Sequence, residues 1–211
     1  MRTATATGLV LQSLAWAADG VYAIDTDPLR VGPAAVTVVV AEPAVGDALA
    51  DVLIGISDPL RGTVSVKGAP VTGQPPGQRP IALVPCGGGL LPHLTVERNV
   101  AFGMGGRASR SARRGRVGEV LSQLQLESLG RLRPHEISPV QRLRVAVARA
   151  MCASVEPVAV VIEDRQGQFP CRAAVMTAVA QDLSVLVITD TPERGGVLGA
   201  VTQASCRAAV L

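Results

Sequence analysis

Aromatic rings are scarce in this sequence. They make up 2% of the 211 residues: one Trp, one Tyr and two Phe. A surface that reads single-stranded nucleic acid by stacking bases needs several rings, so no nucleic-acid partner is expected. Thiols are scarce too. Cys86, Cys152, Cys171 and Cys206 are scattered, with no two at CxxC spacing. That argues against a zinc ribbon or a thioredoxin-like motif and suits a reducing cytosol. The two histidines, His93 and His135, have no acidic or thiol cluster at ligand spacing, so no metal site is expected. Apolar runs are too short to span a bilayer. Residues 1–8 hold one Arg and no long apolar run, unlike a signal peptide. Any membrane attachment is therefore expected to go through a partner.

What is abundant is aliphatic. Hydrophobic residues make up 48% and the mean hydropathy is +0.34. A core of Ala, Val and Leu suits a parallel sheet covered by helices. The β-branched run at 36–40 reads as a buried strand, followed by a tight loop at 41–46 and a helix over 47–56. Further strands are expected at 62–66, 81–84, 158–162 and 184–189, with a short one at 208–211. Residues 68–80 and 105–115 read as Gly-rich loops. Helices are expected at 117–126 and 173–183. A strong helix start stands at Ser138-Pro139: an N-cap hydroxyl, then Pro at the first helical position. That helix runs to about Cys152. Alternating strands and helices give an α/β fold with a mostly parallel sheet. Residues 87–152 hold almost pure helix, which suggests a helical subdomain inserted in the α/β core.

Net charge is +3, yet five arginines crowd at Arg107, Arg110, Arg113, Arg114 and Arg116. This run has two readings: a solvated loop and helix start, or a contact for an acidic partner or lipid headgroups.

Three ordered stretches carry a resemblance. The first is Asp58-Pro59-Leu60-Arg61-Gly62-Thr63-Val64. The second is Leu91-Pro92-His93-Leu94-Thr95-Val96-Glu97-Arg98-Asn99-Val100. The third runs Arg133-Pro134-His135-Glu136-Ile137-Ser138-Pro139-Val140-Gln141-Arg142 and on through Arg149-Ala150. Together they resemble the hairpin, post-Q-loop and signature segments of ABC-transporter nucleotide-binding subunits, especially importers. The resemblance covers about residues 8–200. It implies a single P-loop NTPase-like nucleotide-binding domain over 1–211, with the 87–152 helical subdomain and an N-terminal β-rich part.

The resemblance also says where ATP and Mg²⁺ belong. A phosphate-binding loop reads G-x-x-x-x-G-K-[ST]: glycines let backbone N–H groups wrap the phosphates, Lys reaches the β/γ-phosphates, and the hydroxyl ligates Mg²⁺. The eight positions here are Ala41, Glu42, Pro43, Ala44, Val45, Gly46, Asp47 and Ala48. One glycine, Gly46, remains. Asp47 replaces Lys and Ala48 replaces the hydroxyl. Two like charges about 4 Å apart repel by roughly 4 kcal/mol at an effective dielectric of about 20, so Asp47 opposes a phosphate. It reads instead as an acid in a first helical turn that satisfies the helix N–H groups itself.

The other positions depart as well. The Walker B acids stand in swapped order, Glu163 then Asp164; Glu163 suits a metal held through water, while Asp164 falls one methylene short of an attacking water. Cys86 replaces the Q-loop Gln and Asp190 the H-loop His. Pro139 and Val140 replace the signature glycines, while Ser138 and Gln141 survive. Trp16 stands near the family's adenine-stacking aromatic, and it reads either as that platform or as a buried anchor.

The resemblance then implies a degenerate, non-hydrolysing subunit, with no cofactor expected unless nucleotide binding is retained, in which case ATP and Mg²⁺. Its partners would be a membrane permease and a second nucleotide-binding subunit, in a homo- or heterodimer. It would be cytoplasmic and peripheral to the inner face of the membrane. Two alternatives stand beside it: a divergent but active transporter ATPase, and a soluble regulatory module without a permease.

Overall fold

The computed structural model describes residues 8–105, 109–153, 156–165, 172–200 and 202–209. Ten strands form one sheet. They are β1 (Leu9–Ala17), β2 (Val21–Ile24), β3 (Leu29–Val31), β4 (Val36–Val40), β5 (Arg61–Val66), β6 (Ala69–Pro70), β7 (Ile81–Val84), β8 (Ala159–Asp164), β9 (Ser184–Thr189) and β10 (Thr202–Ala208). The order is β6-β5-β1-β2-β10-β4-β9-β8-β7, with β3 also paired to β1. From β10 to β7 every pairing is parallel. From β6 to β10 every pairing is antiparallel. Within the parallel half β4, β8 and β9 are buried on both faces, which is why they are rich in β-branched residues rather than alternating, while β10 is largely exposed. β9 is buried at all of its positions.

Among the described residues there are six α-helices: α1 (Pro43–Ile54), α2 (Val96–Phe102), α3 (Arg110–Gln123), α4 (Pro139–Met151), α5 (Arg172–Val179) and α6 (Arg194–Leu198). One face of the sheet packs against α1 and the N-terminal strands, with Trp16, Leu49, Val52 and Leu53 in its core. The other face shares one core with α2 to α6. Between β7 and β8 the described residues form helices and helical turns alone. Their apolar side chains join the same core as Val38, Val160 and Val185 of the sheet.

Several boundaries differ from the sequence reading. The loop at 41–46 is mostly helix: α1 begins at Pro43, with Pro at the first helical position. Proline reads as a breaker in a turn, but its fixed φ and missing N–H suit the first turn of a helix. The same helix ends at Ile54 because Gly55 adopts φ 87° as its cap. Residues 110–115 are not a linker. Ser109 accepts from the Ala112 N–H and starts α3 there, so the helix placed at 117–126 begins seven residues sooner. The helix read as 173–183 spans 172–179. The last described strand lies at 202–208, held between β2 and β4; the strand read at 208–211 falls partly outside the described residues, at 210 and 211. Arg107 and Cys171 lie outside the described residues.

Candidate functional site

The residues that would meet a nucleotide gather at the C-terminal ends of β4, β7, β8 and β9. Asp47, Glu163, Arg165, Thr189 and Asp190 surround the head of α1. A second cavity, of about 170 Å³, lies beside it between Cys86, the head of α4 and the β8 terminus. Glu163 borders both. Trp16 borders neither.

At the phosphate-loop positions the backbone is already committed. Pro43 has no N–H. The N–H of Gly46 donates to the Glu42 carbonyl at 2.8 Å, as the first bond of the helix. Asp47 lies in the second helical turn, so the expectation that it satisfies first-turn N–H groups is corrected. Its carboxylate instead accepts from the Arg165 guanidinium, just past the β8 acids. The cleft here is open to solvent and shallow, with a volume of about 10 Å³. As arranged, these residues do not fit a phosphate group. Gly46 has a packing reason to remain: a Cβ there would come within 2.8 Å of Ile188 Cγ2 on β9.

The two β8 acids divide in role. Glu163 Oε2 accepts from the Cys86 N–H at 3.0 Å, joining β8 to the turn after β7. Asp164 has a fully buried side chain, and Arg194 Nε donates to its Oδ2 at 2.6 Å. It is held by a guanidinium of α6 rather than presented to an attacking water. Asp190 accepts from the Thr191 hydroxyl at 3.1 Å.

The signature helix keeps its two surviving residues for its own start. Ser138 Oγ accepts from the Gln141 N–H at 3.2 Å, and Gln141 Oε1 accepts from the Ser138 N–H at 2.8 Å. This reciprocal capping box satisfies two N–H groups that have no intrahelical partner. Further along α4, Arg149 donates to the Gly89 and Gly88 carbonyls at 2.7 and 2.9 Å, fixing the turn that carries Cys86. Burial lowers its pKa from the ordinary arginine value.

Trp16 is fully buried. Its indole N–H donates to the Val45 carbonyl in the first turn of α1 at 3.1 Å. The ring ties β1 to α1 and has no solvent-facing side on which a base would stack.

Four residues that matter here were not singled out from sequence. Arg165 and Arg194 supply the charges opposite Asp47 and Asp164. Arg165 follows the two acids directly, and its sign, opposite to Asp47, was the available signal. Asn99 lies within a quoted stretch. Its buried amide accepts from the Leu91 N–H and donates to the Leu91, Leu94 and Thr95 carbonyls, closing the loop before α2. Arg79 fastens the loop before β7 to the end of α1.

The cysteines differ in access. Burial pushes the Cys152 thiol up to about 11 and the Cys206 thiol up to about 12, while Cys86 is exposed. Thiolates, not thiols, react with alkylating agents. In native protein at mildly alkaline pH, iodoacetamide is expected to label Cys86 well before Cys152 and Cys206. Peptide mapping by mass spectrometry checks the order.

Comparison with known proteins agrees with this fold. A family model described as ABC transporter matches residues 47–160. The spermidine/putrescine import ATP-binding protein PotA of Frankia alni is 38% identical over 116 residues, 54% of this chain and 24% of that protein. The putrescine transport ATP-binding protein PotG of Escherichia coli is 27% identical over 191 residues, 90% of this chain and 48% of that protein. The chain thus spans about half, or less, of the length of these curated relatives. The solved structure of cbiO1 from Clostridium perfringens, part of the ABC transporter complex cbiONQ, shares the fold. Its TM-score is 0.67 at 19% identity, covering 87% of this chain and 78% of that one. With the family model matched over more than half its length, the chain belongs to the ABC transporter family.

Proposed function

We propose that this chain is a non-hydrolysing ABC-type subunit, a structural or regulatory partner of a membrane permease and of a second nucleotide-binding subunit. The observation that carries the reading is the head of α1. There a helical turn and the Asp47–Arg165 pair stand where a phosphate loop would wrap its ligand. To enter, a phosphate would have to break an ion pair, meet the freed Asp47 carboxylate, and do without the N–H of Gly46. The commitments of Asp164 to Arg194 and of Trp16 to Val45 support the same reading.

The transport side rests on kinship. The relatives named above are ATP-binding proteins of import or transport. Among the described residues no helix is long and apolar enough to cross a membrane, and on this reading the spanning part belongs to the permease, with this chain at its inner face. The helical segment over 87–152 and the turn at Cys86 are the parts proposed to meet the permease.

Purified chain is expected to release no phosphate from Mg²⁺-ATP above a buffer blank, and to give no heat on titration with ATP. Turnover that falls to the blank in a Glu163→Gln variant would overturn the reading, since only chemistry at this site depends on that carboxylate.

A further inference from the structure

Four arginines fall within seven residues at the head of α3: Arg110, Arg113, Arg114 and Arg116. No acid lies among them. Without these four, the formal charge of the chain would fall from +3 to −1. The helix does not need them there, because cations at a helix N-terminus oppose its dipole. The first turn carries no acid to offset them.

Two of the four are used internally. Arg113 donates to the Gly105 carbonyl. Arg116 donates to the Met151 carbonyl at 3.4 Å and pairs with Glu119 at 3.6 Å. Arg110 and Arg114 are exposed and form no ion pair among the described residues. The Arg113 bond brings the head of α3 to the end of α2, three residues past Phe102. That phenylalanine is 62% exposed. In a chain so poor in rings, with Trp16 fully buried, a ring in solvent beside the densest run of positive charge is not accounted for by folding.

We infer that this corner, Phe102 with Arg110 and Arg114, is a contact surface for anionic lipid headgroups. Guanidinium groups match phosphate geometry with paired donors. A projecting ring suits the boundary between headgroups and acyl chains. A lipid surface asks for mobile cations and a ring that stands out; a protein partner asks for a shaped counterpart. The inference is independent of the nucleotide reading, since it uses no residue at the head of α1; it assigns this one corner of the helical segment to lipid and leaves the turn at Cys86 and the rest of the segment to a permease.

The test is co-sedimentation of the full chain with vesicles of neutral phosphatidylcholine, or of the same lipid mixed with phosphatidylserine, at low and high salt. Binding is expected to the anionic vesicles alone and to weaken with salt, because screening shortens the reach of exposed charges. Each arginine near an anionic surface is worth about five-fold in partition. The Arg110→Gln, Arg114→Gln double variant is therefore expected to bind about 25-fold more weakly, with unchanged circular dichroism. Phe102→Ser is expected to weaken binding at both salt levels. Equal binding to neutral vesicles, no binding to anionic ones, or full binding by the double variant would overturn the inference. Binding to soluble polyglutamate with none to vesicles would overturn it too, in favour of an acidic polypeptide.

Discussion

Arg194→Leu is expected to lower the stability of this chain by about 3–5 kcal/mol, read as a shift of the urea midpoint by circular dichroism. The partner, Asp164, has no exposed side-chain surface and Arg194 has 11%. Removing the guanidinium leaves a carboxylate in a place that water reaches poorly, and that is the costly way to break a buried pair. The nearby Asp47–Arg165 pair is the control. Its side chains are 44% and 36% exposed. Water solvates either group when the other is removed, so Arg165→Leu is expected to change stability by only about 0–1 kcal/mol. The Asp164→Asn, Arg194→Leu double variant is expected to recover much of the loss, since a neutral pair carries no desolvated charge. Equal effects at Arg194 and Arg165 would mean that the β8 terminus is as open as the head of α1. The Walker B acid would then be available to solvent after all.

The same pair shows what a local reading of this sequence misses. The buried parallel strands stood out because burial on both faces makes them continuous β-branched runs, as in Val36–Val40. The start of α4 stood out because Ser138 and Pro139 each have a local reason to be there. The N-terminal strands were less legible. Ser13 adopts φ 50°, its N–H donates to Asp27 Oδ1 at 2.6 Å, and the register to β5 slips between Gln12 and Ala15. That bulge breaks the period of two along β1. The head of α1 was misplaced because Pro43 and Gly46 read as a turn. Losses at the site were visible one position at a time. Their replacements were not, since Arg165 lies 118 residues from Asp47. The surviving Gly46, Ser138 and Gln141 need no nucleotide to explain them: packing on Ile188 and a capping box suffice. Survival of a motif residue is thus weak evidence for the activity of that motif.

Arg79→Leu is expected to cost about 3–4 kcal/mol, and to do so without the salt dependence of a surface ion pair. Arg79 is 3% exposed. Its guanidinium donates to the Val52 and Leu53 carbonyls at 2.7 and 3.1 Å, to Gln74 at 2.7 Å and to Thr72. Val52 and Leu53 lie in the last turn of α1, where carbonyls have no intrahelical donor. Truncation leaves several acceptors unmet at once, and each buried one is worth about 1–3 kcal/mol. Because Thr72 and Gln74 are part-buried, water recovers some of theirs, which keeps the sum near the lower bound. Arg79→Lys keeps the charge but not the planar fork, so it is expected to restore less than half of the loss. Gly55→Ala strikes the same spot: φ is 87°, and a Cβ would lie 2.7 Å from Arg79 Nε. The two substitutions share one contact, so the double variant is expected to lose less than the sum of the singles. Additive losses would mean that Arg79 does not hold the end of α1. This residue fastens the loop before β7 to one end of α1, while Asp47 and Arg165 fasten the other end to β8. On this account α1 is clamped at both termini by arginines of the chain itself, and the fold keeps its shape with no ligand at the head of α1.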